Sequence, residues 1–325
     1  MIGVIKGTGA YVPDKVLDND DIAKLVDTSD EWIRERTGIV KRHIATCETT
    51  TEMAAEAAQM ALLEAGVDAD ELDLILVSTI SPDQVMPCTA CGVQSKIHAR
   101  NALCFDLSAA CSGFVVAYNT ACAYIESGLY QKILIIGSES LSNLTNWKDR
   151  GTCVLFGDGA GAVVITAEEG ISYRPVAYSD GMLKDALTLK SRHAHNPFME
   201  QSVDYEDSAY YMEMDGQAVF KFAVRKVPQV IEKVLEANEL RKENIAYYVL
   251  HQANRRIVEA VAKRLKEPVH KFPMNMMKYG NTSSASIPIL LHEMNQKQLI
   301  KSGDKIILAG FGGGLTWGAS VLTWR

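Results

Sequence analysis

The feature that most constrains the fold of this chain is an internal repeat with a period of about 173 residues. Each part contains two short apolar runs that predict buried strands, followed by a Gly-rich segment that leads into a third. The first set comprises LILVSTIS (74–81), KILIIG (132–137) and GAGAVVIT (159–166), and the second comprises YYVLHQA (247–253), KIILAG (305–310) and GGLTWGASVLT (313–323). The matched order indicates two similar halves, roughly 1–168 and 169–325.

Helical patterns alternate with these strands. They cover 51–65, 112–127, 219–237 and 253–266. Strands that alternate with helices predict βαβ units, in which buried sheets are covered by helices. We therefore expect an α/β protein made of two packed α/β halves. The segment 182–212 interrupts the pattern, since it is polar and has little periodicity, and we expect a long loop or lid there.

Composition narrows the class of protein. The chain has 325 residues, of which 47% are hydrophobic and 22% charged, which is typical of a globular protein with about two domains. The net charge of -7 and the pI of about 5.6 argue against a general nucleic-acid binder. No apolar run is long enough to span a bilayer, and the start, MIGVIKGTG, does not resemble a signal peptide. With seven cysteines, an odd number, we expect reduced thiols and a soluble cytoplasmic protein.

Cys111 is the first candidate for chemistry. It follows the strand end FDLS and precedes a helical pattern, so it should lie at or near a helix N-terminus. Backbone N–H groups there favour a thiolate and are expected to lower the pKa of the thiol. Most free cysteines are simply small core residues, but here small neighbours (Ala109, Ala110, Ser112 and Gly113) leave room for a substrate.

His251 and Asn281 are candidates in the second half. His251 ends a predicted strand, and ligands of doubly wound sheets bind beyond the carboxyl ends of strands. Asn281 lies in a Gly-Asn turn that we expect to be followed by a Ser or Thr N-cap and a helix. The repeat places it close to the counterpart of Cys111. A structural histidine and an ordinary turn asparagine are the alternatives.

Three further features bear on function. The glycine run GFGGGLT (310–316) could offer N–H donors to an oxyanion, although a plain turn would use the same residues. Cys88-x-x-Cys91 has no second pair of ligands, so no metal site is expected. A basic cluster in the predicted helix just after His251 suggests an anionic partner: Arg255, Arg256, Lys263, Arg264 and Lys266. Lys221, Arg225 and Lys226 add positive charge in the same half.

Four of these motifs together resemble β-ketoacyl-acyl carrier protein synthase III, a family of the thiolase superfamily. They are DLSAACSGF, HQANRRI, YGNTSSASIP and GFGGGLTWG, and DEWIRERTGIVKRHIA (30–45) and DRGTCVLFGDGAGA (149–162) extend the match almost end to end. The resemblance implies the five-layered αβαβα thiolase-like fold, a homodimer and no cofactor. It also implies a decarboxylative Claisen condensation, in which an acyl-CoA acylates Cys111 and malonyl-acyl carrier protein extends the acyl group in bacterial fatty-acid synthesis.

The resemblance also assigns roles to individual residues. Cys111, His251 and Asn281 become the catalytic residues, and the amides of Cys111 and Gly313 become the oxyanion hole. Met86 falls where the family varies a residue that reaches into the acyl pocket from the partner subunit. Residues for CoA are Thr28, Trp32, Arg36, Arg150 and Asn254, and residues for the acyl carrier protein are Lys221, Arg256 and Lys263. The primer, acetyl or a short branched acyl group, stays open.

Three other functions are compatible with parts of the pattern. A paralogue of the same fold would keep Cys111 but serve another acyl transfer. A papain-like hydrolase also uses Cys, His and Asn in this chain order, with a similar spacing of about 140 residues between Cys and His. Its local signature around the cysteine is missing, however, and it explains neither the repeat nor the glycine run. A non-catalytic scaffold of the same fold is disfavoured by the intact set of three residues.

Overall fold

A computed structural model describes residues 1–190 and 210–325. The strands are β1 (Ile2–Tyr11), β2 (Val16–Asp18), β3 (Lys41–His43), β4 (Leu74–Ser78), β5 (Leu103–Leu107), β6 (Lys132–Glu139), β7 (Gly159–Glu168), β8 (Val176–Ser179), β9 (Leu187–Thr188), β10 (Glu213–Met214), β11 (Ile245–Leu250), β12 (Lys305–Gly312) and β13 (Thr316–Thr323). The α-helices are α1 (Asn19–Ala23), α2 (Asp30–Thr37), α3 (Thr50–Ala65), α4 (Thr89–Ile97), α5 (Gly113–Glu126), α6 (Arg150–Cys153), α7 (Gly216–Ala237), α8 (Arg255–Leu265), α9 (Met276–Tyr279) and α10 (Ser286–Gln296).

Two sheets share the same strand order. The first runs β1-β7-β6-β4-β5, and the second runs β8-β13-β12-β11. In both, an inner pair is parallel (β4 with β6, β11 with β12) and the next is antiparallel (β6 with β7, β12 with β13). The first sheet has one further strand, β5, which pairs parallel with β4. The strands that the repeat of about 173 residues pairs with one another therefore occupy equivalent places in the two sheets.

Alternation along the strands sends side chains to two different layers. In β4, Leu74 and Leu76 pack into a core shared with α5 and α10, whereas Ile75 and Val77 pack against α3 and α4. Val249 and Leu308 of the second sheet join the same core as α5 and α10. The pair α5 and α10 therefore lies between the sheets, because both sheets bury one face against it.

The second sheet is covered on its other face by α7 and α8. Tyr248 of β11 and Ile307 of β12 pack with Val227 and Ile257 of these helices. The order of layers is thus α3/α4, first sheet, α5/α10, second sheet, α7/α8. This five-layered αβαβα arrangement confirms the fold class expected from the resemblance.

The two central helices begin in the same way. A 3₁₀ turn, Ala110–Ser112, precedes α5, and another, Ser283–Ala285, precedes α10. Each turn opens with a residue in the left-handed region, Ala110 at φ 46° and Ser283 at φ 48°. The expected Ser or Thr N-cap after Asn281 was wrong: the N-cap of α10 is Ala285, and no side chain caps the helix, because the 3₁₀ turn supplies the first bonds instead.

The segment 182–212 is described only at its ends. A 3₁₀ stretch, Gly181–Ala186, leads into β9, which pairs antiparallel with β10 just beyond the segment. Residues 191–209, where we expected most of the loop or lid, lie outside the described residues. The division of the chain at 168/169 stays a prediction, and it falls at the last residue of β7.

Candidate active site

The glycine run packs directly against the backbone of Cys111. Cys111 lies in the turn between β5 and α5 and is only 8% exposed. A Cβ built on Gly312 would lie 2.6 Å from the backbone nitrogen of Cys111, and one on Gly310 would lie 3.3 Å from its carbonyl oxygen. The end of β12 can approach the nucleophile so closely only because these positions lack side chains.

The pKa of Cys111 differs from the sequence-based expectation. Burial raises the pKa of the thiol to about 12, and a negative charge on Glu139 would add to the rise. The side chain of Ser283 and the Cys111 backbone amide oppose this without reversing it. The predicted lowering was therefore wrong, because desolvation of the thiolate outweighs the N–H groups at the start of α5.

His251 follows the end of β11 and is buried. Its Nδ1 lies 2.7 Å from the Ser286 hydroxyl, and its ring makes an edge contact with Phe311, with centroids 5.4 Å apart. Burial lowers the pKa of His251 to about 3, so the imidazole is neutral at neutral pH. The backbone N–H of Gln252 donates to the same Ser286 hydroxyl at 3.3 Å.

Asn281 is held by its backbone and by one side-chain oxygen. Its N–H donates to the carbonyl of Leu155 at 2.8 Å, and its own carbonyl accepts from the Gly157 N–H at 3.1 Å. The side-chain Oδ1 accepts from the Ser283 N–H at 2.9 Å. With Oδ1 fixed in this way, the amide NH₂ group is the part of the side chain that can donate to a ligand.

A single cavity of about 1560 Å³ brings most of the predicted site residues together. Those that line it are Trp32, Arg36, Cys111, Arg150, Lys221, His251, Asn254, Arg256, Asn281 and Gly313. Thr28, Met86 and Lys263 do not line it. Met86 is 86% exposed on the surface of its own chain, so its predicted contact with a partner's pocket stays a prediction.

Two guanidinium groups lie over the aromatic ring of Trp32. Those of Arg36 and Arg150 are 5.4 and 5.0 Å from its ring centroid. Asn254 caps α8 by accepting from the Arg256 N–H at 2.8 Å, and its amide donates to the carbonyl of Arg36 at 3.0 Å. This part of the cavity offers a flat ring and two cations, which suit an aromatic ligand that carries phosphate.

Comparison with known proteins identifies the family. The models for 3-oxoacyl-acyl-carrier-protein (ACP) synthase III match residues 105–181, and those for its C-terminal region match 235–324. A β-ketoacyl-acyl carrier protein synthase III of Clostridium acetobutylicum is 49% identical over 322 residues, which cover 98% of each chain. The chain belongs to the β-ketoacyl-acyl carrier protein synthase III family. This membership confirms the resemblance seen in the sequence.

Solved structures agree with this synthase III assignment. The 3-oxoacyl-acyl carrier protein synthase III of Aquifex aeolicus superposes with a TM-score of 0.92 at 45% identity, covering 99% of this chain and all of that one. The priming β-ketosynthase of a polyketide biosynthetic pathway also has a TM-score of 0.92, at 32% identity, covering 100% of this chain and 96% of that one. As a synthase III, the chain is an enzyme of the acyltransferase class.

Residues 1–190 and 210–325 of this synthase III contain no group of three or more His, Cys, Asp or Glu side chains arranged to hold a metal ion. Over the same residues, no helix is both long and apolar enough to cross a bilayer.

Sequence inspection missed three residues around the synthase III site. Phe311, the one aromatic residue inside the glycine run, lines the cavity beside His251. Ser286 contacts His251, and the buried Glu139 contacts Ser284 in the turn after Asn281. Phe311 could have been found, since a large side chain among glycines is unusual. The other two lie far along the chain from the residues they contact, so only the tertiary fold brings them to the site.

Proposed function

We propose that this enzyme catalyses the initiating condensation of fatty-acid synthesis. An acyl-CoA primer and malonyl-acyl carrier protein yield 3-oxoacyl-acyl carrier protein, CoA and CO₂. One observation carries the proposal: Cys111, His251, Asn281 and Gly313 line one cavity that extends to Trp32. A nucleophile, two neutral hydrogen-bonding side chains and a glycine loop are the groups this chemistry requires.

In the first step, the sulfur of Cys111 attacks the carbonyl carbon of the acyl-CoA. The C–S bond to CoA breaks, and the proton of the Cys111 thiol leaves with the CoA sulfur. The oxyanion of the tetrahedral intermediate accepts hydrogen bonds from the backbone amides of Cys111 and Gly313. The approach of Gly312 to the Cys111 nitrogen supports this role, because it brings the loop and the amide side by side.

In the second step, the malonyl carboxylate leaves as CO₂, and its electron pair forms an enolate on the thioester. The enolate carbon attacks the acyl group, and the sulfur of Cys111 leaves and takes a proton from solvent. His251 and Asn281 donate hydrogen bonds to the enolate oxygen. Neither side chain has to ionise for this, which agrees with the lowered pKa of His251.

The contacts of Ser286 support a donor role for His251. Its hydroxyl accepts from the Gln252 N–H, and among the described residues the nearest acceptor for its own proton is His251 Nδ1. A proton directed at Nδ1 leaves the imidazole proton on Nε2. In that tautomer Nε2 is the hydrogen-bond donor of the ring.

In this proposal both substrates enter through the same cavity, and the residues for them are neighbours: Asn254 contacts both Arg36 and Arg256. Trp32 stacks on the adenine of CoA, Thr28, Arg36 and Arg150 bind its nucleotide end, and Asn254 holds the pantetheine arm. Two of the three residues assigned to the acidic carrier protein, Lys221 and Arg256, line the cavity. The third, Lys263, lies on α8 two turns beyond Arg256, so both face the same side of that helix.

The primer is acetyl or a short branched acyl group. Met86, from the partner subunit of a homodimer, bounds the acyl pocket, and a flexible thioether can accommodate either shape. The exposed Val85 and Met86 support such an interface, since neighbouring apolar side chains on a surface favour burial by a second chain.

The intact mass of the protein after mixing with a panel of acyl-CoAs tests this function. Acetyl-, propionyl-, isobutyryl- and longer acyl-CoAs are used, with Cys111→Ala as the control. We expect a mass gain of one acyl group with a short primer, and none in the variant. No gain with any primer would contradict the proposal. Gain at an unchanged level in Cys111→Ala would show that another residue is the nucleophile.

Similarity to a polyketide priming enzyme makes that role the second candidate. It uses the same acyl-enzyme, so the mass experiment does not separate the two. Condensation with malonyl groups carried by a fatty-acid carrier protein, compared with a polyketide carrier protein, distinguishes them. Turnover restricted to the polyketide carrier would favour the second candidate.

A further inference from the structure

Glu139 is a buried carboxyl group that the reaction described above does not use. It ends β6, is fully enclosed, and forms no ion pair among the described residues. It contacts Ser284, in the turn that follows Asn281, and so lies beside the site. An unpaired carboxylate at such a place would be costly, and its charge would oppose the anions that the reaction forms nearby.

The two oxygens of Glu139 have different surroundings. Oε2 accepts from the Ile80 N–H at 3.0 Å and from the hydroxyls of Ser81 at 2.7 Å and Thr79 at 3.2 Å. Oε1 faces the Ser284 hydroxyl at 2.9 Å. Oε2 is thus saturated with donors, whereas the contact of Oε1 is with the hydroxyl of Ser284.

The Ser284 hydroxyl has one proton and two oxygens in reach. Besides Glu139 Oε1, the carbonyl oxygen of Ser78 lies 2.8 Å from it. If Glu139 were ionised, one of these two short oxygen–oxygen contacts would contain no proton. If Oε1 carries a proton, Glu139 donates to Ser284 and Ser284 donates to Ser78, so every contact holds one. Burial also raises the pKa of Glu139, against the hydrogen bonds it accepts.

Ser284 is the middle of the turn that holds the second half of the site. Asn281 bonds to the N–H of Ser283 just before it, and Ser286, the partner of His251, comes just after it. Gly137 lets this turn approach β6, because a Cβ there would lie 2.4 Å from the Ser284 carbonyl. A bond from β6 to Ser284 therefore fixes Asn281 and His251 relative to the first half.

We propose that Glu139 is held as a neutral carboxylic acid that donates to Ser284, and that it is a positioning residue for the turn carrying Asn281. The role in condensation rests on the function proposed above, whereas the neutral state does not. The Ser283 hydroxyl acts against the neutral state, because it lowers the pKa of Glu139, but burial outweighs it and the pKa stays raised.

The infrared spectrum tests the neutral state without any substrate. We expect the wild-type protein at neutral pH to show the C=O stretch of a buried protonated carboxyl, and the band to vanish in Glu139→Gln. The bands of other buried carboxyls, such as Asp158, cancel when the spectrum of the variant is subtracted from that of the wild type. Loss of carboxylate bands instead, in the same difference spectrum, would overturn the neutral state.

Two variants test the positioning role. The amide of Glu139→Gln can donate to Ser284 as the acid does, so we expect condensation within about threefold of wild type. Glu139→Leu cannot donate, and we expect condensation to fall about tenfold while acylation of Cys111 by acyl-CoA changes little. Equal losses in both steps for the Leu variant would show a structural role only. A Gln variant as impaired as the Leu variant would overturn the proposal.

These outcomes are separable from failure of the proposed function. If the wild-type protein is not acylated by any acyl-CoA, the function fails and the infrared result still decides the state of Glu139.

Discussion

At the scale of single residues, His251 links stability to pH. Burial lowers its pKa to about 3, whereas the ordinary value of 6.5 applies in the unfolded chain. Between these values the unfolded chain binds a proton that the native protein does not. The free energy of unfolding therefore falls as the pH drops below about 6.5.

We predict that His251→Asn makes the protein less sensitive to acid. Through His251, the free energy of unfolding of the wild type should be about 2 kcal/mol lower at pH 5 than at pH 7. Calorimetric melting of both proteins at pH 7 and pH 5 measures it: the Tm of the wild type should drop further. Parallel losses of Tm would contradict the buried neutral state of His251.

Ser286 affects chemistry through His251. Ser286→Ala removes the hydroxyl that lies 2.7 Å from Nδ1 and, in the proposed tautomer, donates to it, so the imidazole proton is no longer fixed on Nε2. We expect condensation to slow about tenfold, the effect of one hydrogen bond, with acylation of Cys111 unchanged. Single-turnover rates of the two steps provide the measurement. Ser286→Thr, which keeps the hydroxyl, is the matched control, and equal slowing in both variants would refute the tautomer argument.

At the scale of elements, the end of β12 and the turn before α5 must fit together. Gly312→Ala would place a Cβ 2.6 Å from the Cys111 nitrogen, so one backbone segment has to move. We expect acylation of Cys111 to fall at least about tenfold, because the loop would no longer align its amides. In Gly181→Ala the new Cβ meets no atom within 4 Å, and acylation should be unaffected. Normal acylation of Gly312→Ala would show that the loop does not contribute to the oxyanion hole.

The basic face of α8 provides a second prediction at this scale. Lys263 is exposed and does not line the cavity, so Lys263→Glu should leave acylation by acyl-CoA intact. We expect the KM for malonyl-acyl carrier protein to rise about fivefold, as for one exposed charge pair. Lys301→Glu makes the same charge change before β12, at the opposite end of the sheet from the site. Similar effects of both variants would show a general charge effect rather than a docking surface.

The elements themselves were largely predictable, and their contacts were not. Apolar runs located β4, β6, β11 and β12, since buried parallel strands leave a strong local signal. The start of α10 was mispredicted because a 3₁₀ turn, stabilised by packing on β6, replaces the side-chain cap. The direction of the Cys111 pKa shift was also mispredicted. The sequence shows that Cys111 lies near a helix N-terminus, but it does not show that the folded chain buries the thiol.

At the scale of the whole molecule, we predict a homodimer. Val85 is 97% exposed and stands next to Met86, so each chain presents two adjacent apolar side chains to solvent. Sedimentation equilibrium should give twice the 35.7 kDa of one chain. Val85→Glu with Met86→Glu should shift the protein toward the single-chain mass, since charges disfavour burial. A wild-type protein that sediments as one chain at micromolar concentration would contradict the prediction.

The paired turns before α5 and α10 have a consequence for how such a site can arise. Each half contributes one turn, and the cavity needs both, so a half of this kind on its own could form the site only by meeting a copy of itself. Joining the halves in one polypeptide makes their encounter intramolecular, with an effective concentration that does not depend on expression level. Joining the halves also allows the two turns to have different sequences. One turn carries the sulfur of the site, and the other carries amide and hydroxyl groups. Two identical chains would have to carry the same groups in both turns.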